Sequence, residues 1–248
     1  MPQPSDERIT SRQNRWFRRF LEASRSHEDE IVLEGPKAVR DAIARGWTPL
    51  AFALAPENVP PAGGVPSFVF APALTRELTD TRHPQGVLAL FERPRAALEP
   101  LLEVSSPLLV VLDGVQDPGN VGTIVRLAAA FEATGVVLTE GTADPFAPKA
   151  LRASAGAALL VPIVEAPSAT LVRLLAERDI PLWAATADGA PSPSLAPPAA
   201  LALGSEGSGV SAEILAAARH VSIPISPAVD SINVAAAAAI LLHQMRRK

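Results

Sequence analysis

The chain contains no cysteine among its 248 residues. It can therefore form neither a disulfide nor a thiolate metal site, which fits a reducing cytoplasm. The four histidines lie far apart in the sequence and show no metal-ligand spacing: His27, His83, His220 and His243. We therefore expect no metal cofactor.

Long apolar runs are also missing. No stretch approaches the roughly 20 apolar residues that a membrane-spanning helix needs, and the polar, arginine-rich start lacks the apolar core of a signal peptide. Hydrophobic residues nevertheless make up 48% of the chain and charged residues 19%, a composition typical of globular proteins with a buried core. We predict a cytoplasmic protein without a membrane segment.

Charge of one sign does not dominate the chain. The net charge of -4 is a weak argument against a protein coated in nucleic acid. Basic residues nevertheless cluster at both ends: Arg8, Arg12, Arg15, Arg18, Arg19 and Arg25, then Arg246, Arg247 and Lys248. A local basic patch can bind phosphates even on an acidic protein.

Short apolar runs alternate with helical patterns in residues 1–95, which we interpret as a small α/β domain. Helices are predicted over 11–26, 36–45 and 72–80, and strands over 31–35, 50–54, 66–71 and 86–92. The pattern then changes to a proline-containing segment without a clear strand. We interpret residues 96–106 as an interdomain linker.

Residues 107–248 show a regular alternation of apolar strands and helices. Strands are predicted over 108–114, 135–139, 159–165, 181–186, 200–204 and 221–225. Helices are predicted over 121–133, within 144–156, and over 168–179, 211–219 and 233–246, with a loop at 188–198. Such alternation predicts a parallel sheet covered on both faces, and such sheets bind ligands where strands end in loops.

Three segments that follow predicted strands, which we call corners, carry the candidate functional residues. The first corner is "DPGNVGTIVR", residues 117–126. Gly119 and Gly122 allow a tight turn, and Asn120 can cap a helix or hold a ligand. Arg126 lies among apolar neighbours, where an arginine must pair, reach water or bind something. The spacing matches neither a dinucleotide fingerprint nor a P-loop. Taken alone, this corner favours a helix cap followed by a paired structural arginine.

Two further corners follow later strands. Residues 204–209, "GSEGSG", form a glycine-rich loop with Glu206 as its one charge, suited to wrapping a flat ligand or to an ordinary turn. In the third corner, Ser231 and Asn233 flank Ile232 at the start of an alanine-rich helix. Asn233 there is either an N-cap or a site residue.

Together the three corners resemble the SpoU family of the SPOUT methyltransferases, which methylate ribose 2′-hydroxyls in rRNA and tRNA. Three family motifs occur in order: Asn-x-Gly-x-x-x-Arg at Asn120, Gly122 and Arg126; Gly-Ser-Glu-Gly-x-Gly at 204–209; and Ile-Pro with Ser-Ile-Asn-Val at 223–224 and 231–234. The likeness runs from about Pro107 to the C-terminus. Residues 1–95 more loosely resemble the substrate-binding domain that many members carry. Ile232 replaces the Leu that is usual in the family's third motif. Glu132 stands where family members often have a glycine, directly after the aromatic residue of the first-motif helix.

The resemblance implies a SPOUT domain with a C-terminal trefoil knot, S-adenosylmethionine as cofactor, RNA as substrate and a homodimer. It implies catalytic roles for Asn120, Arg126, Glu206, Ser231 and Asn233. The implied cofactor contacts are Thr139, Leu203, Gly204, Gly209, Ile223, Pro224 and Ile232. For RNA binding, the expected residues are Arg12, Arg15, Arg19 and Arg152. Arg126 would act on the hydroxyl either as a base or as an electrostatic clamp.

Three other functions are weighed against this one. A non-catalytic RNA-binding protein on the same scaffold would have little reason to keep Asn120, Arg126, Glu206 and Asn233 together. A dinucleotide-dependent oxidoreductase would need a Gly-x-Gly-x-x-Gly corner, which is missing. A hydrolase of the α/β class would need a Gly-x-Ser-x-Gly elbow, and none occurs.

Overall fold

A computed structural model describes residues 8–79, 81, 84–191 and 195–246. The chain divides into two compact units. The first comprises Met1–Pro94 together with Phe146–Pro148, and the second comprises Arg95–Pro145 and Lys149–Lys248.

The first unit is a small α/β fold. Its described strands are β1 (Arg8–Ile9), β2 (Glu30–Glu34), β3 (Pro49–Leu54), β4 (Ser67–Phe70) and β5 (Val87–Glu92), and its helices are α1 (Arg15–Ala23), α2 (Pro36–Ala44) and α3 (Pro72–Glu77). The sheet order is β1-β4-β3-β5-β2, with β5 antiparallel to both of its neighbours. The sequence analysis missed β1, because a two-residue strand has no visible alternation.

Helix α1 covers this sheet with its aromatic side. Phe17 and Phe20 are buried, and both rings contact Phe70 of β4. The helix begins later than the predicted residue 11, because Asn14 caps it by accepting a hydrogen bond from the Trp16 amide at 2.8 Å. The arginine at position 12 therefore lies before the helix.

The second unit has the predicted parallel sheet. Its described strands are β6 (Leu108–Asp113), β7 (Gly135–Leu138), β8 (Ile163–Glu165), β9 (Leu182–Pro191), β10 (Ala199–Gly204) and β11 (Arg219–Ser222). Its helices are α4 (Leu98–Leu102), α5 (Pro118–Ala130), α6 (Pro148–Ser154), α7 (Ser168–Glu177), α8 (Ala212–Ala217) and α9 (Val234–Arg246). The order is β11-β9-β10-β6-β7-β8, and all neighbouring pairs run parallel. Every residue of β6 is buried, which explains its unbroken apolar run.

The segment interpreted as a linker, residues 96–106, differs from that interpretation. It contains α4, and Leu98, Leu101 and Leu102 are buried in the core of the second unit. Pro100 lies in the first turn, where its missing amide leaves no intrahelical bond unmade. The prolines of this segment favoured the interpretation as a linker. Its leucines are instead spaced so that they lie on one buried face of a helix.

Two predicted strands have different limits. The segment predicted as a strand over 159–165 starts inside a 3-10 helix, Ala157–Leu159, and becomes extended only at β8. Strand β9 extends into the predicted loop because it pairs with β11 as far as Pro191. Strand β11 itself ends at Ser222, so Ile223 and Pro224 lie in the loop beyond it.

Close packing positions α5. A methyl group added at Gly122 would lie 2.2 Å from the carbonyl oxygen of Ala150, so the glycine lets α6 approach the helix. Just beyond α5, Glu132 adopts a φ of 54°, the left-handed conformation that glycine prefers. It forms an ion pair with Arg246 at the end of α9. A glycine would adopt this conformation without strain.

Within the described ranges, no helix is long and apolar enough to cross a membrane. The same residues contain no group of three or more metal-ligating side chains.

Candidate active site

The carboxyl ends of four parallel strands bring the three sequence corners to one edge of the second unit's sheet. In the sheet register, Gly204 at the end of β10 pairs with Asp113 at the end of β6, and Leu112 pairs with Leu138 at the end of β7. Because β11 also runs parallel, the loop that begins at Ile223 leaves from the same edge. The site predicted at this edge is therefore assembled from loops after β6, β7, β10 and β11.

Asp117, and not Asn120, caps α5. The Asp117 Oδ1 atom accepts a hydrogen bond from the Asn120 amide at 3.0 Å, and its Oδ2 atom lies 2.5 Å from the Lys149 Nζ atom. The hydrogen bond from Lys149, followed by the one from the Asn120 amide, lowers the pKa of the Asp117 carboxyl. The suggestion that Asn120 caps the helix is therefore wrong, and its side chain is available to the site.

Asn120 joins the three corners through its side chain. Its Nδ2 atom donates a hydrogen bond to the Glu206 carboxylate, and its Oδ1 atom accepts one from Asn233 Nδ2 at 3.1 Å. These partners come from positions 86 and 113 residues away in the sequence. Three of the five predicted catalytic residues are thus brought into direct contact.

Asn233 is also an N-cap, so both interpretations of this residue hold at once. Its Oδ1 atom accepts hydrogen bonds from the amides of Ala235 at 2.9 Å and Ala236 at 3.3 Å. Its Nδ2 group remains free to bind Asn120. Capping therefore fixes the orientation of the amide that contacts Asn120.

Arg126 lies on the exposed side of α5 and reaches solvent. Among the described residues, its guanidinium has neither a hydrogen-bond partner nor an ion-pair partner. The interpretation as a paired structural arginine is therefore wrong. The structure does not bring Arg126 into contact with Asn120, Glu206 or Asn233. Ser231 is likewise exposed and has no hydrogen-bond partner in the described part of the chain.

The glycine-rich loop closes on itself. Ser205 and Gly209 exchange backbone hydrogen bonds of 3.1 and 3.0 Å, and the Ser205 hydroxyl accepts one from the Ser208 amide at 3.0 Å. Gly209 has a φ of 68°, and a methyl group on Gly204 would lie 2.1 Å from the Gly209 carbonyl carbon. The glycines therefore shape the loop itself, and Glu206 lies at its exposed tip.

The predicted cofactor contacts differ in exposure. Thr139 and Leu203 are buried, Gly204, Ile223 and Ile232 are half-buried, and Gly209 and Pro224 are exposed. The fully buried Leu203 side chain belongs to the core, so a cofactor contact there would have to use its backbone. The half-buried isoleucines leave apolar surface available beside the loops.

The sequence analysis missed Asp113, a buried carboxylate at the end of β6. Its Oδ1 atom accepts a hydrogen bond from the Thr139 hydroxyl at 2.5 Å, and its Oδ2 atom accepts one from the Ser211 amide at 2.6 Å. A charged residue that ends an unbroken apolar strand was the available signal.

Comparison with known proteins identifies the family. Residues 107–243 match the SpoU rRNA Methylase family. This chain belongs to that family. An uncharacterised tRNA/rRNA methyltransferase of Synechocystis is 31% identical, over 97% of this chain and 93% of its own length. The 23S rRNA (guanosine(2553)-2′-O)-methyltransferase RlmP of Bacillus subtilis is 29% identical, over 93% and 94%.

A solved rRNA methyltransferase structure matches this chain over nearly its whole length. The crystal structure of an AdoMet-bound rRNA methyltransferase from Sinorhizobium meliloti superposes with a TM-score of 0.86 and 27% identity. The match covers 96% of this chain and 96% of that one. The family and the α/β fold with a parallel sheet that were predicted from the sequence are thus confirmed.

The arginines predicted to bind RNA in this SpoU protein differ in their partners. Arg12 forms an ion pair with Glu77 at 2.7 Å, and Arg19 forms one with Glu30. The hydrogen bond to Glu30 raises the pKa of Arg19 further above its usual value. The guanidinium carbon of Arg15 lies 5.7 Å from the centre of the Trp16 ring.

Two arginines of the first unit that were not predicted to bind RNA have fewer side-chain partners than Arg12 and Arg19. Arg18 and Arg25 are exposed, and neither has a hydrogen-bond or ion-pair partner among the described residues. Arg152, on α6 of the second unit, is exposed as well.

Proposed function

We propose that this protein transfers the methyl group of S-adenosylmethionine to a ribose 2′-hydroxyl of ribosomal or transfer RNA. The observation that carries the proposal is the hydrogen-bonded network of Asn120, Glu206 and Asn233. This network joins three motifs that lie far apart in the sequence. They meet at the carboxyl ends of the parallel strands, where α/β sheets bind ligands. Family membership, the 2′-O activity named for RlmP and the AdoMet-bound structure from Sinorhizobium meliloti support it.

The residues at the sheet edge fit this cofactor. Its adenine needs apolar contact, and its ribose and amino-acid tail need backbone that approaches closely. Ile223 and Ile232 supply half-buried apolar surface, and the loop after Gly204 consists of glycine and serine around one glutamate. We therefore assign cofactor binding to the loops that begin at Thr139, Gly204 and Ile223.

When bound, S-adenosylmethionine supplies an electrophilic methyl group on a positively charged sulfur. Held by the loops that begin at Thr139, Gly204 and Ile223, the cofactor would give this methyl group to the 2′-oxygen and leave as the neutral thioether, and the hydroxyl proton would pass to solvent. Arg126 offers a planar fork of N–H donors and no acceptor. It holds a neighbouring phosphate and stabilises the negative charge developing on the oxygen. Asn120, Glu206, Ser231 and Asn233 order the loops around this oxygen.

We further propose that two copies associate through the exposed face of α9. Ile240 on this helix is 39% exposed, and Val229, in the loop before it, is 52% exposed. The alanine-rich stretch of α9 would let a helix of a second copy approach closely, which suits such an interface. The family resemblance adds a trefoil knot, formed when the C-terminal segment threads through a loop. Because the proposed RNA substrates are cytoplasmic, we place the protein in the cytoplasm.

The first experiment measures the transfer of labelled methyl from S-adenosylmethionine to purified rRNA, tRNA and ribosomal subunits. A 2′-O-methyl group protects the adjacent phosphodiester from alkali, so we expect the label in alkali-resistant dinucleotides of one RNA class. Reactions without protein give the background. Cofactor binding without label in any RNA or particle would contradict the proposal and favour the non-catalytic RNA-binding protein.

The RNA surface of the first unit is proposed to centre on the arginines without carboxylate partners. Arg15, Arg18 and Arg25 can bind phosphates without breaking an ion pair. Arg12 and Arg19 would first have to break their ion pairs with Glu77 and Glu30. Each phosphate contact contributes a salt-dependence slope of roughly 0.7 to 0.9. The three free arginines together would therefore account for a slope of about 2 to 3.

Replacing Arg15, Arg18 and Arg25 together by glutamine is expected to weaken RNA binding and to flatten its dependence on salt. The measurement is a filter-binding titration at several salt concentrations, with cofactor affinity as the internal check. The Arg12→Gln, Arg19→Gln double variant is the matched control and should lose less of the slope. A larger loss in this control would instead favour the paired arginines as the RNA ligands.

A further inference from the structure

Asp113 is a buried charge without a cationic partner. Its exposed fraction is 6%, and no lysine, arginine or histidine of the described residues pairs with it. Burying a carboxylate is costly unless hydrogen bonds replace its water. Here two short hydrogen bonds from neutral donors do so, from the Thr139 hydroxyl at 2.5 Å and from the Ser211 amide at 2.6 Å. A leucine at this position would avoid the cost of burying a carboxylate but would remove the acceptor of both donors, so the carboxylate is explained by these two partners and not by packing.

The two oxygens of Asp113 connect two loops of the site. Strand β6 lies between β7 and β10 in the sheet, and Asp113 is its last residue. Oδ1 binds Thr139, the first residue after β7, and Oδ2 binds the backbone two residues after the glycine-rich loop ends at Gly209. The carboxylate therefore fixes the spacing between the loops on either side of it.

We propose that Asp113 is a positioning residue that holds the Thr139 loop and the glycine-rich loop in the arrangement that binds S-adenosylmethionine. It acts through Thr139 and the Ser211 amide. The inference rests on the cofactor assignment above and adds a residue that the three family motifs do not include. The glycine-rich loop is then held by two hydrogen bonds. Asp113 accepts one from the Ser211 amide just after the loop, and Asn120 donates one to Glu206 at the tip of the loop.

The chemistry of the two hydrogen bonds predicts which substitutions matter. Asp113→Leu removes both acceptors, so the Ser211 amide loses its hydrogen bond and the Thr139 hydroxyl keeps only the weaker one to the Leu112 carbonyl at 3.4 Å. Asp113→Asn can still accept from the Ser211 amide through its oxygen, while its NH₂ group donates to the Thr139 hydroxyl. In the same way, Thr139→Ser keeps the hydroxyl and Thr139→Val removes it. A positioning role predicts that the conservative variant of each pair retains function.

The test is titration calorimetry of S-adenosylmethionine binding, with thermal unfolding measured in parallel. We expect Asp113→Leu to raise the Kd by about tenfold or more, as expected for losing a charge-assisted hydrogen bond. Thr139→Val should raise it less, and Asp113→Asn and Thr139→Ser should bind nearly as the wild type does. Leu175→Ala, in the buried core on α7, is the control that is destabilised at a residue outside both loops.

Hydrogen exchange without cofactor gives a second readout. In Asp113→Leu, the amides of residues 205–211 should exchange faster than in the wild type, and in Leu175→Ala they should not. If the leucine variant fails to fold, Asp113→Ala, which also lacks both acceptors, carries the same test. Wild-type cofactor affinity in Asp113→Leu or Thr139→Val would overturn the proposal. Failure of the wild-type protein to methylate RNA while it binds cofactor would instead overturn the proposed function.

Discussion

Replacing Arg126 by lysine is expected to lower kcat for RNA methylation by roughly 100-fold or more, the usual effect of removing one transition-state hydrogen-bond donor. Lysine keeps the positive charge but lacks the planar fork of donors that can bind a phosphate and a developing alkoxide together. Cofactor affinity should stay unchanged, because Arg126 projects from the exposed side of α5. Stability should change little as well, since no ion pair or hydrogen bond among the described residues is lost.

Steady-state methyl transfer with saturating RNA and cofactor measures this effect. Arg173→Lys is the matched control, because Arg173 is an exposed helical arginine on α7 whose ion pair with Glu177 a lysine can also form. It should methylate RNA at the wild-type rate. Near-normal turnover by Arg126→Lys would show that charge alone suffices and that the fork is not needed. Selective loss of RNA affinity with unchanged kcat would assign Arg126 to binding only.

The convergence of the three motifs was predictable because it follows from topology. Parallel strands end at one edge, so apolar runs followed by "DPGN", "GSEG" and "IP" had to meet there. The exact contacts were not predictable. Asp117 and Asn120 are both good N-caps, and the sequence cannot tell which one caps α5. The structure assigns the cap to Asp117, and this assignment leaves Asn120 free to bind Glu206 and Asn233.

Contacts between distant residues account for what the sequence analysis missed. The bond between Asp113 and the Ser211 amide spans 98 positions, and the donor is a backbone group that any residue type would supply. The pairing of Arg12 with Glu77 spans 65 positions. A periodic sequence pattern predicts which face of a helix or strand is buried. It carries no information about which distant groups the polar and charged residues of that element bind.

Replacing Gly204 by alanine is expected to remove measurable cofactor binding and to destabilise the protein. The added methyl group would lie 2.1 Å from the Gly209 carbonyl carbon and 2.2 Å from the Val210 nitrogen. Both atoms are backbone, so no side chain can rotate away and the loop itself must shift. Overpacking of this kind costs about 1 to 3 kcal/mol, occasionally more. The shift would also break the Ser205–Gly209 hydrogen bonds that define the loop.

Gly207 provides the matched control in the same loop. A methyl group there meets nothing within 4 Å, and its φ lies outside the left-handed range. Gly207→Ala should therefore leave the Tm unchanged or slightly raised, because alanine restricts the unfolded chain. Titration calorimetry and thermal unfolding of both variants separate two explanations of the glycine-rich motif. If only Gly204→Ala loses binding, Gly204 serves loop closure. If Gly207→Ala loses binding at normal stability, Gly207 is needed because the cofactor itself comes too close for a side chain.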